Sequence, residues 1–103
     1  MNETTASPAP TPAQPTTQVA EVTLVTTQAC HFCDDAHERL GELERRGLLR
    51  LTTAPADSPV GQALIRQHRP GMFPLTLVDG RFFNDGRIPR GKLARLVEQL
   101  DAR

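Results

Sequence analysis

The 103-residue chain lacks several features that mark common protein classes. It has only two cysteines, three positions apart, whereas a small secreted domain held together by disulfides needs more cysteines, spread along the chain. No stretch approaches the roughly 20 apolar residues of a membrane-spanning helix. The formal net charge is zero. We therefore expect neither nucleic acid nor a membrane as partner.

The N-terminal part of the chain lacks periodic apolar residues. Residues 1–19 are mostly Thr, Pro, Ala and Gln, and such a segment buries too little apolar surface to offset the entropy lost on ordering. It also lacks the basic start and apolar core of a secretory signal peptide. We predict a disordered Pro/Thr/Ala-rich tail over residues 1–19, one folded domain over residues 20–103, and cytoplasmic localisation. In that compartment a close cysteine pair is more often catalytic or metal-binding than structural.

The first half of the predicted domain alternates strand and helix. Residues 21–27 are rich in β-branched residues, which is typical of a strand. Residues 48–53 form a second such run. Between them, apolar residues recur at the spacing of one helical face: Ala36, Leu40 and Leu43. Ser58 and Pro59 are the expected cap and first residue of another helix, whose predicted inner face is Val60, Ala63 and Leu64.

The second half predicts a β-hairpin and a last helix. Asp79–Gly80 is a two-residue hairpin signal between strands over residues 74–78 and 81–83. Residues 84–86, Asn-Asp-Gly, are predicted as a further turn. The last helix is amphipathic, with Leu93, Leu96, Val97 and Leu100 on one side. The order β-α-β-α-β-β-α combines a parallel crossover with an antiparallel edge, which predicts an α/β fold.

The cysteine pair, Cys30 and Cys33, lies where the first strand gives way to the first helix. The unpaired N–H groups and the dipole at a helix N-terminus favour negative charge, and the thiolate is the form of cysteine that attacks disulfides. Cys33 follows one turn later on nearly the same helix face, so it can reach Cys30. We predict that Cys30 attacks a disulfide and Cys33 resolves the product. Positive charge on the neighbouring His31 would stabilise the Cys30 thiolate.

Two other functions fit the same residues. The first is a metal-binding or iron–sulfur module, in which Cys30 and Cys33 bind together with His37 and a further ligand. A structural zinc site needs four such ligands, and the sequence supplies no second ligand pair. The second is an adaptor domain of the same fold without turnover. In that case a surface patch or the N-terminal segment carries the function.

Three motifs give the chain a family likeness. Cys30–His31–Phe32–Cys33 follows the first strand, with an aromatic residue just before the second cysteine. Phe73–Pro74 opens the third strand, and the Asp79–Gly80 hairpin leads into the last helix. In these motifs the chain resembles the glutaredoxins of the thioredoxin superfamily. The resemblance implies a thioredoxin-like three-layer sandwich around a four-stranded mixed sheet, and a monomeric disulfide oxidoreductase.

The resemblance also implies roles for residues outside the cysteine pair. Pro74 would be a cis-proline facing the pair, and the backbone of Phe73 would bind an extended substrate together with His31 and Phe32. Asp85 would bind the amino group of glutathione, although Thr27 replaces the usual basic residue before the cysteines and a pair of glycines is missing. The implied partners are protein disulfides and a reductase. No tightly bound cofactor is expected, and the reductant would be glutathione or another low-molecular-weight thiol.

Overall fold

A computed structural model describes residues 19–102 of the chain. The predicted tail lies outside these residues, apart from Val19. The seven elements occur in the predicted order: β1 Ala20–Thr26, α1 His31–Arg45, β2 Leu49–Pro55, α2 Pro59–His68, β3 Leu75–Val78, β4 Arg81–Asp85 and α3 Arg90–Asp101. In the described part of the chain, no helix is both long and apolar enough to cross a membrane.

The four strands form one mixed sheet in the order β2-β1-β3-β4. β1 and β2 are parallel neighbours, and α1 forms the crossover connection between them. β3 is antiparallel to both β1 and β4. The φ angles of Asp79 and Gly80, 52° and 81°, lie in the left-handed region that a tight two-residue hairpin requires. The predicted mixed sheet and hairpin are confirmed.

Side chains from the two faces of the sheet form two apolar clusters. Helices α1 and α3 cover one face, where Leu24, Leu40 and Leu96 belong to one buried cluster. Helix α2 covers the other face, where Leu64 and Ile65 pack against Leu75 and its neighbours. Because helices lie on both faces of the sheet, the fold is the predicted three-layer sandwich.

The predicted inner face of α2 is wrong in part. Leu64 packs on the sheet as predicted, but Val60 and Ala63 are exposed, and Gly61 is the buried residue of the first turn. A Cβ atom at Gly61 would overlap the backbone carbonyl of Pro55. The helix therefore approaches β2 through its glycine, and this contact rotates Val60 and Ala63 towards solvent.

The predicted turn at residues 84–86 is also wrong in part, since Asn84 and Asp85 belong to β4 and only Gly86 follows it. The register of β3 and β4 shifts so that Leu77 pairs with Phe82 and Thr76 with Asn84. Phe83 is the extra residue of this bulge. The bulge extends the strand to Asp85, so the chain turns at Gly86, where φ is 77°.

Candidate active site

The segments that carry the predicted site residues meet at one edge of the sheet. The cysteine motif follows the end of β1, and Phe73–Pro74 precedes the start of β3. These two strands are antiparallel neighbours, with Val25 opposite Leu75. The end of β1 and the start of β3 therefore lie side by side. The end of β2 adjoins the same edge, because β1 and β2 are parallel with Thr26 opposite Pro55.

Cys30 is the N-cap residue of α1. Its backbone is extended, with φ −119° and ψ 105°, and its carbonyl accepts the N–H of Asp34 at 3.0 Å. Its Sγ accepts the backbone N–H of Cys33 at 3.1 Å. Ala29 just before it has a φ of 51°, a left-handed conformation that turns the chain from the loop into the helix. The fold thus holds the sulfur of Cys30 at the N-terminus of a helix, as the sequence predicts.

The two cysteines differ in exposure and are joined by a disulfide. Their Cα atoms are 5.2 Å apart. Cys33 is only 3% exposed and is one of the buried residues of α1, with Ala36 and Leu40, whereas Cys30 is half-buried. An incoming sulfur can therefore approach Cys30 far more readily than Cys33.

His31 and Phe32 begin α1 on its solvent side. Both are exposed, and Phe32 keeps 41% of its surface accessible although it is a large apolar residue. An exposed aromatic ring beside a half-buried sulfur offers apolar contact area to a bound polypeptide. The predicted substrate-binding roles of His31 and Phe32 stay predictions.

The peptide bond between Phe73 and Pro74 is cis, as the resemblance implies. Pro74 is fully buried, and Phe73 is half-buried against the cluster beneath α2. The carbonyl of Pro74 accepts the backbone N–H of Gly86 at 2.9 Å. The loop before β3 is therefore attached to the end of β4. The role of the Phe73 backbone in substrate binding stays a prediction.

The carboxylate of Asp85 makes a contact that the sequence does not reveal. Its Oδ2 accepts the backbone N–H of Gly71 at 2.8 Å. Gly71 lies in the loop that leads to Pro74, so this hydrogen bond braces the loop from β4. Asp85 thus stabilises the loop before β3. Its binding to the amino group of glutathione stays a prediction.

Asn84 has side-chain contacts that the sequence analysis did not predict. It is 8% exposed, and its Nδ2 lies 3.1 to 3.2 Å from the carbonyl oxygens of Asp85, Gly86 and Arg87, to which it donates. Its Oδ1 accepts a hydrogen bond from Lys92 at 3.2 Å. Asn84 therefore shapes the turn after β4. An amide residue directly before Asp-Gly was the available sequence signal.

A groove of about 480 Å³ lies beside the cysteine loop, and we call it the β1–β2 groove. It is lined by the loop that follows β1 and the loop that follows β2: Thr26, Thr27, Gln28, Pro55, Ala56 and Asp57. Another cavity, about 560 Å³, is at the opposite edge of the sheet between the β3–β4 hairpin and α3. Its lining belongs to the hairpin and α3, whereas the lining of the β1–β2 groove includes Gln28, two residues before Cys30.

The metal-binding alternative gains no support from the geometry. Within residues 19–102 no group of three or more His, Cys, Asp or Glu residues is arranged to hold a metal ion. His37, which that alternative requires, is exposed on α1, whereas Cys33 is buried. The described residues therefore do not supply the four ligands that a structural zinc site needs.

No protein-family model matches the chain, and no curated protein matches its sequence. Several solved structures match its fold. A thioredoxin-like protein from Clostridium perfringens has a TM-score of 0.63 at 15% identity, over 84% of this chain and 74% of that chain. Thioredoxin-2 of the malaria parasite has a TM-score of 0.54 at 15% identity, over 79% of this chain and 82% of that one. Glutaredoxin 1 from Francisella tularensis has a TM-score of 0.50 at 12% identity, over 82% of this chain and all of that one.

These matches agree with the motifs noted in the sequence. The similar structures include thioredoxin and glutaredoxin folds, and the chain covers most of each of them. At these low identities the matches establish the fold. The chain therefore has a thioredoxin-like fold, with a pair of cysteines three positions apart joined by a disulfide at the N-terminus of its first helix.

Proposed function

We propose that this protein is a thiol–disulfide oxidoreductase that reduces protein or low-molecular-weight disulfides through Cys30 and Cys33. The observation that carries the proposal is the asymmetry of the pair. Cys30 is half-buried at the N-cap of α1, whereas Cys33 is buried one turn later and close enough to form the disulfide.

Cys30 is the attacking residue in the reduced protein. As N-cap it lies where the free N–H groups of the first turn and the helix dipole favour negative charge. The N–H of Cys33 already points at the sulfur of Cys30, at 3.1 Å. The same donor supports a thiolate on Cys30, and the thiolate is the nucleophile in disulfide exchange.

Cys33 completes the reaction. The Cys30 thiolate forms a bond to one substrate sulfur, and the other substrate sulfur leaves as a thiolate. Cys33 then attacks the Cys30 sulfur, which releases the second substrate sulfur and forms the Cys30–Cys33 disulfide. Two electrons pass from the cysteine pair to the substrate, and the two released sulfurs take up the protons that the pair gives up.

The proposal extends to the surroundings of the pair. His31, Phe32 and the Phe73–Pro74 segment flank the edge at which a substrate meets Cys30. A low-molecular-weight thiol such as glutathione, or a reductase, would return the disulfide to the dithiol form. We propose that the protein works as a monomer without a tightly bound cofactor.

The sharpest test of the roles is Cys33→Ser. This variant should accumulate mixed disulfides between Cys30 and its substrates, because the resolving thiol is missing. Mass spectrometry after alkylation of free thiols measures the adduct, which dithiothreitol should release. The matched control, Cys30→Ser, should form none, since its remaining sulfur is buried.

Two outcomes would contradict the proposal. The first is a Cys33→Ser protein that carries no mixed disulfide after exposure to a disulfide substrate. The second is equal trapping by both variants, which would show that the exposure difference between the cysteines does not assign their roles.

A further inference from the structure

The β1–β2 groove adjoins the sulfur that we propose as the attacking group. One wall, Thr26 to Gln28, leads directly to Cys30, and Gln28 is two residues before it, a span of roughly 7 Å. The other wall follows β2. The backbone N–H of Ala56 donates to the carbonyl of Thr26 at 2.7 Å, so a hydrogen bond joins the two walls. A polypeptide whose sulfur is bonded to Cys30 can therefore reach this groove with a neighbouring residue.

The wall after β2 is rigid. The carbonyl of Pro55 accepts both the N–H and the hydroxyl of Ser58, at 3.0 and 2.7 Å. The side chain of Gln62 donates to the carbonyl of Ala56 at 2.6 Å. Gly61 packs so closely on Pro55 that no Cβ fits between them. Asp57 lies inside this braced turn, so its backbone is already ordered before a ligand binds.

The charge of the groove is negative. Asp57 is the only ionisable residue among those that line it, and it is exposed. Within residues 19–102 its carboxylate has neither a hydrogen bond nor an ion pair. The N-terminus of α2 adds about half an elementary positive charge nearby, which is less than the charge of the carboxylate. The groove thus has a free carboxylate on one wall, and hydroxyl and amide groups on the other wall, which leads to Cys30.

We propose that the β1–β2 groove is a substrate subsite that favours disulfides in polypeptides with a lysine or arginine close to the reacting cysteine. This inference rests on the proposed function and narrows its substrate class. The Asp57 carboxylate attracts the basic side chain, and the threonine and glutamine groups of the opposite wall bind the adjacent backbone. The same carboxylate repels acidic segments, so it acts on substrate choice through both attraction and repulsion.

The experiment compares two peptide disulfides of opposite charge. Each is the disulfide-linked dimer of a short peptide with one cysteine, flanked two residues away on both sides by lysine in one peptide and glutamate in the other. Pre-reduced protein, freed of reductant, is mixed with each dimer, and released peptide thiol is followed in a single turnover. Each rate is divided by the rate with dithiothreitol, which corrects for the intrinsic reactivity of the peptides.

For the unmodified protein we expect the corrected rate for the lysine peptide to exceed that for the glutamate peptide by about two- to fivefold. The ratio should fall towards one in Asp57→Asn and invert in Asp57→Lys. Added salt should reduce it, because exposed charges are screened. The matched control is Asp101→Asn at the far end of α3, which removes the same charge and should keep the ratio of the unmodified protein.

The outcomes separate this inference from the function on which it rests. If the reduced protein leaves both peptides oxidised, the proposed function itself fails. If it reduces both peptides and neither Asp57 variant changes the ratio, the oxidoreductase activity stands and the subsite is wrong. A ratio that shifts equally in Asp101→Asn would also overturn the subsite, since net charge would then explain the preference.

Discussion

The N-termini of α1 and α2 have the same capping geometry, but the capping atom differs between them. Each follows one of the two parallel strands at the same edge of the sheet, and each begins after a capping residue with extended backbone. In α1 the Sγ of Cys30 accepts the N–H of Cys33 at 3.1 Å, and in α2 the Oγ of Ser58 accepts the N–H of Gly61 at 3.0 Å. The two helices thus share one capping geometry, with sulfur in one and oxygen in the other.

The two capping side chains differ in exposure and in the hydrogen bonds they make. Ser58 also donates its hydroxyl to the carbonyl of Pro55, so its side chain serves the fold alone. Cys30 has a weak acceptor in the same place and is half-exposed, and the field that steadies a cap also favours a thiolate. With the role that we propose for Cys30, α1 has a weaker cap than α2 and a nucleophile at the same position.

The largest effect on stability is expected at Gly61, which allows α2 to approach β2. Gly61→Ala places a Cβ against the backbone carbonyl of Pro55 and should lower the free energy of unfolding by about 1–3 kcal/mol. Urea denaturation of the oxidised protein measures the change. The control is Gly41→Ala in α1, where the nearest atom is the end of the Arg45 side chain at 3.8 Å.

Gly41→Ala should instead leave the protein as stable or raise its unfolding free energy by up to about 1 kcal/mol, because alanine favours a helix interior. Equal decreases in unfolding free energy in the two variants would show that the close approach of α2 to Pro55 does not require a glycine.

A smaller effect is expected from the oxygen cap itself. Ser58→Ala removes the acceptor for the N–H of Gly61 and the donor to Pro55, and should cost about 1 kcal/mol of unfolding free energy. The same denaturation assay checks this value. An unchanged denaturation midpoint would mean that water replaces the hydroxyl of Ser58 as the acceptor, so the side-chain cap would not stabilise α2.

The smallest effect on stability is expected at the sulfur cap. Cys30→Ser, compared with the reduced unmodified protein, should change the unfolding free energy by no more than about 0.5 kcal/mol, since a hydroxyl replaces a weaker acceptor. Disulfide exchange should nevertheless be lost. A markedly destabilised variant would show that Cys30 stabilises the fold as strongly as Ser58 does, which would contradict the proposed difference between the two caps.

Short-range signals in the sequence predict much of this fold. The Ser58 cap depends on residues within one turn of it, and the Asp79–Gly80 hairpin depends on backbone conformations that those two residues readily adopt. The position of Cys30 at the start of α1 is equally local. For these features the sequence contains the whole cause within a few residues, so the predictions agree with the structure.

Contacts between distant segments explain what the sequence did not predict. Val60 faces solvent because Gly61 must approach Pro55, which lies on another element. Asn84 belongs to a strand because the pairing of β3 with β4 continues beyond the bulge at Phe83. The Asp57 wall of the β1–β2 groove likewise depends on the parallel pairing of β1 and β2. No local pattern encodes these contacts.

The central claim is that Cys30 and Cys33 form a reversible redox couple, and one titration tests it most directly. The protein is equilibrated over a graded series of dithiol redox buffers, its free thiols are alkylated, and its mass is measured. The account predicts a single two-electron transition between the dithiol and the Cys30–Cys33 disulfide at a defined potential. A protein whose cysteines stay reduced across the whole series, or react with the alkylating agent only after a chelator is added, would contradict it.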